Sequence, residues 1–238
     1  MPVLDDHRWL LESKTISDFR IRCENEEIHV HKVMLCLNSR YFVQLFKSEF
    51  MEAKEGVVNF PDIGPEPMNH LLDFFYRGTT DWNLAESDLA MNVRVWILAD
   101  RLQADNAMIE IEYRLSGFLK NFDNKHLVAD ESLLELVFSH PVCSESVLAY
   151  IFAEAAWIHS IDSYLPDTGG DLNIRTAALR HSSLANTMLM WSVHYTYISG
   201  QYRCGKRDTS FLRSKVADDM RQQIISGKQK ECRCNLLQ

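Results

Sequence analysis

From Phe19 to Cys23 the side chains alternate, with Phe19, Ile21 and Cys23 on one face and Asp18, Arg20 and Arg22 on the other. Such alternation predicts a strand with one dry face. Ile28 and Val30 resume it after Glu24-Asn25-Glu26-Glu27, a polar connector of hairpin length, so two antiparallel strands are expected. At His31 the period changes. From Lys32 the apolar residues crowd into helical spacing until Asn38-Ser39, and Phe42, Leu45 and Phe46 then mark one face of a second short helix. Val57 to Phe60 reads as a third strand, closed by Pro61-Asp62-Ile63-Gly64-Pro65. Pro67 suits a first helical turn, where its missing amide hydrogen would have no partner, and Met68, Leu71, Leu72, Phe75 and Tyr76 follow on one stripe. Leu89, Val93, Trp96 and Ile97 predict another helix, capped near Ser87-Asp88, and Met108, Ile111, Leu115, Phe118 and Leu119 a further one. Three strands interleaved with at least five helices predict an α+β domain whose small sheet is covered by a cluster of short helices.

Beyond Asn121 the pattern reads as helix after helix. Leu133, Leu136 and Val137 form a short stripe, His140-Pro141 breaks it, and Val147, Ile151, Ala155 and Ile158 form a longer one. Asp162 to Asp171, with Pro166 and Gly169-Gly170, predicts a joint, and Arg175 to Ser199 one long helix rich in large side chains such as Met188, Met190, Trp191 and Tyr195. The expected division is an N-terminal arm at 1–16, an α+β domain at 17–120, an all-helical extension at 121–200, and a basic tail at 201–238, partly disordered or helical.

At 238 residues and 46% hydrophobic content, the chain can bury one good core or two modest ones. No apolar run approaches the roughly 18 residues of a membrane span, and Asp5, Asp6 and Arg8 occupy the place of a signal peptide's apolar stretch, so neither spanning nor secretion is expected. Six unpatterned cysteines do not make a disulfide framework, and Cys23 and Cys36 fall on core-facing positions, which points to a reducing compartment, cytoplasm or nucleus. The net charge of −8 argues against nucleic acid as a partner. Its distribution is uneven. Residues 201–238 hold nine Lys or Arg against four acids, a tail of +5 on a remainder of −13, which reads either as a localisation signal or acidic-partner contact or, with Leu212, Val216, Met220 and Ile224 on its dry side, as a solvated amphipathic helix.

Several residues resemble a known family in order and spacing. Ser17-Asp18-Phe19 opens an Asp-led strand. His31-Lys32 followed by Val33-Met34-Leu35-Cys36 opens a helix, Ser39-Arg40-Tyr41-Phe42 opens the next, Phe50-Met51-Glu52 gives a hydrophobic-x-Glu step, and Phe74-Phe75-Tyr76-Arg77-Gly78 ends a later helix, with Arg77 where Thr is usual. Together these resemble a BTB/POZ domain from about Ser17 to Leu119, and residues 143–157 loosely resemble the helical extension that follows fungal-type members. The resemblance implies a BTB/POZ fold and a non-catalytic protein–protein interaction module that forms a homodimer or a heterodimer with another BTB domain. It also implies that Asp18 and Lys32 form a partly buried charged pair at the middle of the dimer groove, in which losing one partner strands the other at about 3 to 5 kcal/mol. The apolar residues Trp9, Leu10 and Leu11 would form an arm across a twofold axis, or else cover their own domain. In members that serve as substrate adaptors of cullin-RING ubiquitin ligases, the hydrophobic-x-Glu step engages the cullin scaffold. That reading makes Phe50 and Glu52 partner-binding residues, with Tyr41 and Phe46 candidates for the same groove. A transcription-associated scaffold is a further alternative, weakened by the absence of a zinc-finger array.

Catalytic and metal chemistry have weaker footing. His29 and His31 lie two apart without a third ligand nearby, and Cys232-x-Cys234 with Cys204 and His194 departs from the usual spacing of zinc sites. The chain has no Gly-x-Ser-x-Gly, no glycine-rich phosphate loop and no His-Glu-x-x-His. An enzyme would need a polar pocket among His140, His159, His181 or His194. No enzyme activity, cofactor or metal is expected.

Overall fold

The computed structural model describes residues 7–14, 16–48, 50–77, 88–121, 128, 130–161 and 170–201, the side chains of 160–161, 170–173, 175 and 192–201 excepted. The chain divides into two compact units, Met1–Leu127 and Val128–Gln238.

The first unit runs α1 (Arg8–Ser13), β1 (Phe19–Cys23), β2 (Glu26–Val30), α2 (Lys32–Asn38), α3 (Arg40–Lys47), α4 (Met51–Glu55), β3 (Val57–Phe60), α5 (Pro65–Arg77), α6 (Leu89–Arg101) and α7 (Asp105–Leu119). Its sheet has the order β2-β1-β3. β1 pairs antiparallel with β2, Ile21 facing Ile28, and parallel with β3, Ile21 facing Val58. The alternation does what it predicts: Phe19, Ile21 and Cys23 are buried while Arg22 is exposed. On the other face Arg20, Arg22 and His29 gather around Glu27, whose carboxyl the Arg22 hydrogen bond at 2.7 Å holds below its ordinary value.

The helices bury Leu35, Phe42, Met68, Leu71, Leu72 and Trp96, each worth roughly 1.5 to 3 kcal/mol in transfer from water. Their ends are capped. Ser39 accepts the Phe42 amide at the start of α3 and donates to the Leu102 carbonyl at 2.5 Å, fastening α3 to the end of α6. Asp88 accepts the Met91 amide at 2.8 Å, and the Trp96 indole donates to Glu112 at 3.0 Å, joining α6 to α7. α5 starts at Pro65, two residues before Pro67, and α4 occupies a stretch with no predicted helix. α4 ends at Gly56, whose φ of +69° suits glycine.

The second unit contains α8 (Glu131–Ser139), α9 (Val147–Ile161), α10 (Gly170–Arg180) and α11 (Ser182–Gln201) among its described residues. Residues 148–159 of α9 are buried all round, as expected of the central helix of a helical layer. Tyr150, Trp157 and Ile158 pack with Trp191 of α11. The single helix expected over Arg175–Ser199 is two helices, broken at His181. There the ring reaches Glu135 of α8 at 2.9 Å and lies on Phe138, and Arg180 pairs with Glu131, so contacts with α8 fix the bend. Of the joint expected over Asp162–Asp171, Gly170 and Asp171 belong to α10, while 162–169, like the tail beyond 201, lie outside the described residues.

Candidate interaction surfaces

Asp18 and Lys32 meet, but through a different contact from the one the resemblance implies. The Lys32 backbone amide donates to Asp18 Oδ1 at 2.8 Å, so the carboxylate holds the first turn of α2 and not the ammonium. The ammonium lies 5.8 Å over the Phe19 ring and 5.4 Å over Phe46. Asp18 is exposed and Lys32 half-buried, and the two do not form an ion pair. Within one chain a hydrogen bond of this kind is worth about 1 to 2 kcal/mol, below the 3 to 5 kcal/mol expected of a buried ion pair.

Beneath this contact lies a buried clasp. The His31 amide donates to the Tyr76 hydroxyl at 2.9 Å, and that hydroxyl sits 2.8 Å from His31 Nδ1. Burial pushes the Tyr76 hydroxyl up to about 12, against the lowering effect of the His31 amide, with Asp18 adding to the rise. The clasp ties the turn between β2 and α2 to the end of α5.

On the outer side of this turn α2 presents Val33, 63% exposed, and Leu37, 70% exposed, one helical turn apart. Met34 and Leu35 are buried on its inner side. Ile16 is exposed two residues before Asp18, which the Lys32 bond holds at the start of α2. At the other end of α2, Asn38 donates to the Phe75 carbonyl and the His7 amide to the Tyr76 carbonyl, so α2 and α1 converge on adjacent carbonyls of α5. Exposed Trp9 follows on α1. Val33 and Leu37 thus form an exposed apolar ridge on α2, and Ile16 and Trp9 are exposed on the neighbouring segments. Leu10 and Leu11 are half-buried, and Leu11 borders an open cleft of about 480 Å³ with Glu26, Pro65, Glu66, Asn69, His70 and Asp73. Val33, Leu37 and Ile16 were not singled out from the sequence, although a short helix reading Lys-Val-Met-Leu-Cys-Leu-Asn cannot bury every apolar side at a surface.

A second surface lies around α4. Phe50 and Met51 are both 63% exposed, and Glu52 is exposed beside them. Tyr41 packs against Phe42 and Phe60, and its hydroxyl is raised by burial and then by the Glu52 charge, with Arg101 opposing. Arg101 covers Phe60 at 5.4 Å and pairs with Asp62 at 2.5 Å; this bond holds the Asp62 carboxyl below its ordinary value. Phe46 does not join this group. Five residues on from Tyr41, about 140° around the helix, it packs edge-on to Phe19 at 4.8 Å and stacks on Phe42.

The remaining candidates have separate surroundings. His31 is buried against Tyr76, while His29 is half-exposed between Ser17 and Glu27. Cys23 is buried, and burial followed by Glu26, Glu24 and Asp62 raises its thiol to about 11. His140 accepts the Val142 amide in a turn, His181 pairs with Glu135, and His159 is buried within α9. Cys204, Cys232 and Cys234 lie outside the described residues, and so does the side chain of His194. Among the described residues no group of three or more His, Cys, Asp or Glu is arranged to hold a metal ion, and no helix is long and apolar enough to cross a membrane.

A family model of the BTB/POZ domain matches residues 9–119. Kelch repeat and BTB domain-containing protein 1 of Vaccinia virus is 30% identical over 112 residues, 47% of this chain and 18% of its own length. Kelch repeat and BTB domain-containing protein 4 of Homo sapiens is 30% identical over 69 residues, 29% of this chain and 13% of its own length. The chain thus spans less than a fifth of the length of these relatives. Among solved structures, the BTB domain of zebrafish PATZ1 aligns with 45% of this chain and 82% of its own at 18% identity and a TM-score of 0.37. These relatives are viral and vertebrate, so the fungal type of the extension rests on the resemblance of residues 143–157 alone.

Proposed function

Residues 9–119 are a BTB/POZ domain, a protein–protein interaction module, and from that premise we propose that the chain pairs with a second copy, or with a related BTB domain, through the α2 edge. The observation that carries this reading is the exposed Val33–Leu37 ridge on α2. An apolar ridge one turn long suits a twofold axis, since Val33 of one copy meets Leu37 of the other and the reverse holds at once. The module does no chemistry of its own; its work is association by apolar surface. Light scattering after size exclusion tests this on the full chain. Wild type runs at twice the monomer mass at micromolar concentration and Leu37→Asp as a monomer. A wild type that stays monomeric rejects pairing with itself, and co-migration with a related BTB domain then decides the heterodimer.

The α4 surface favours a second reading, substrate adaptor of a cullin-RING ubiquitin ligase. Phe50 and Met51 offer two exposed apolar anchors beside the Glu52 carboxylate, and aromatic anchors carry much of the affinity at such contacts. Relatives named for kelch repeats as well as a BTB domain support an adaptor role. A pulldown with a cullin amino-terminal domain tests it, Phe50→Ala/Glu52→Ala losing at least about tenfold in capture. Equal capture of wild type and variant removes the reading.

A further inference from the structure

α7 carries a surface pattern that the fold of its own unit does not call for. Beyond Asp105 at its start, the exposed positions of this helix are Asn106, Ile109, Tyr113 and Gly117, which fall within about 80° of one another around its axis. Ile109 is 61% exposed and Tyr113 72%. A surface helix ordinarily turns charge to water, but here the outermost stripe is neutral. The charged side chains stand beside it, engaged within the unit: Asp105 with Arg40 at 2.8 Å, Glu110 with Arg114 at 2.6 Å, and Glu112 with the Trp96 indole at 3.0 Å.

Gly117 sharpens the pattern. Its backbone is helical, and a Cβ added there would meet nothing within 4 Å, so neither the course of the chain nor its packing requires a glycine, which weakens a helix interior relative to alanine. What the bare position offers is room for a side chain arriving from outside. Ile109 projects from the same stripe four residues before Tyr113, and Gly117 leaves its gap four residues after it.

We propose that the outer stripe of α7 is a second self-association surface, on which the helices of two copies lie antiparallel, Tyr113 against its counterpart at the twofold axis and Ile109 of each copy seated over Gly117 of the other. Because Ile109 and Gly117 are equidistant from Tyr113, both projections meet both gaps at once, as a twofold contact requires. The charges agree with this arrangement. Antiparallel helices turn the same flank toward each other, so Glu110 of one copy lies opposite Arg114 of the other and the reverse, four charges alternating in sign. A stripe of four residues buries too little surface for a lasting dimer, so the contact is weak alone and acts on copies already held close. It stands apart from the α2 reading, and where both surfaces are used they link copies into chains.

Sedimentation equilibrium on the full chain carrying Leu37→Asp, which silences the α2 edge, reads this contact by itself. That chain is a monomer at micromolar concentration and dimerises at roughly several hundred micromolar. Adding Tyr113→Asp weakens the association at least about tenfold. Gly117→Gln weakens it by a similar factor while raising the thermal midpoint, because it fills the gap with a better helix former, and a damaged fold cannot give both results. Glu110→Arg weakens association about fivefold, and Glu110→Arg/Arg114→Glu restores it. A chain that stays monomeric throughout, or an association indifferent to Tyr113→Asp and Gly117→Gln, overturns the proposal. A double charge reversal that fails to restore association overturns the antiparallel arrangement. The α2 reading fails on different evidence, a wild type and Leu37→Asp of equal mass at micromolar concentration.

Discussion

The α2 edge and the α4 surface are both apolar and exposed, yet they are built differently. Val33, Leu37 and Ile16 stand beside the neutral His31–Tyr76 clasp and one carboxylate, Asp18, whose charge the Lys32 amide partly satisfies. Phe50, Met51 and Tyr41 stand among charges: Glu52, Arg101 on Asp62, and Arg40 on Asp105 at 2.8 Å. A surface with few charges to complement can be self-complementary; one framed by several fixed charges selects a partner of opposite pattern. The contrast supports the proposals of self-pairing at the first surface and of a different protein at the second.

The sharpest way to break that assignment is reciprocal substitution. Val33→Asp/Leu37→Asp should weaken self-association at least about a hundredfold, because two carboxylates per copy would be desolvated, while Phe50→Asp/Met51→Asp should leave it within about twofold. Sedimentation equilibrium reads both, and loss of pairing in the second variant would merge the two surfaces.

Alkaline pH separates the supports next. The folded state keeps the Tyr76 proton up to about pH 12, whereas an unfolded tyrosine loses it near 10. The fold therefore binds more protons between those values, and stability is intact below pH 10 and falls by about 2 to 3 kcal/mol as pH rises to 12. Urea titrations should show this slope in wild type and its flattening in Tyr76→Phe; equal slopes would place the clasp in contact with water.

Asp18→Ala should cost about 1 to 2 kcal/mol through the lost acceptor at α2, and Asp18→Asn, which keeps that acceptor, clearly less. Equal losses in thermal unfolding would restore the charged-pair account. Lys32→Met should cost about 0.5 to 1 kcal/mol in the same assay, the stem's packing being kept and the attraction to the Phe19 and Phe46 rings lost.

Much of the first unit could be read from residue pattern because its elements are amphipathic. Alternation from Phe19 to Cys23 fixes which face is dry, and Ser39 and Asp88 announce helix starts. Other features carry no such mark. α4 has five residues, too few for a period, and α10 and α11 share one continuous apolar rhythm whose break at His181 comes from contacts with α8. Spacing brought Asp18 to Lys32, but not the choice between the ammonium and the amide, which depends on two phenylalanine rings drawing the side chain away. The α4 surface was half legible: the Phe50-Met51-Glu52 triplet could be named, while Arg101 and Asp62 reach it only through the turn of the chain. Phe46 was misassigned because helix phase does not show which side of α3 meets β1.

The placement of β1 between an antiparallel and a parallel neighbour bears on how the chain reaches this state. The hairpin joins residues close in sequence, Cys23 with Glu26, and forms on the order of microseconds. The parallel edge waits for Arg20 to find Val57, thirty-seven residues later and beyond three helices. During synthesis, then, the ribosome must deliver the whole α2–α4 passage before the middle strand gains its second neighbour, and until that moment its open flank is a place where two nascent chains can stick together.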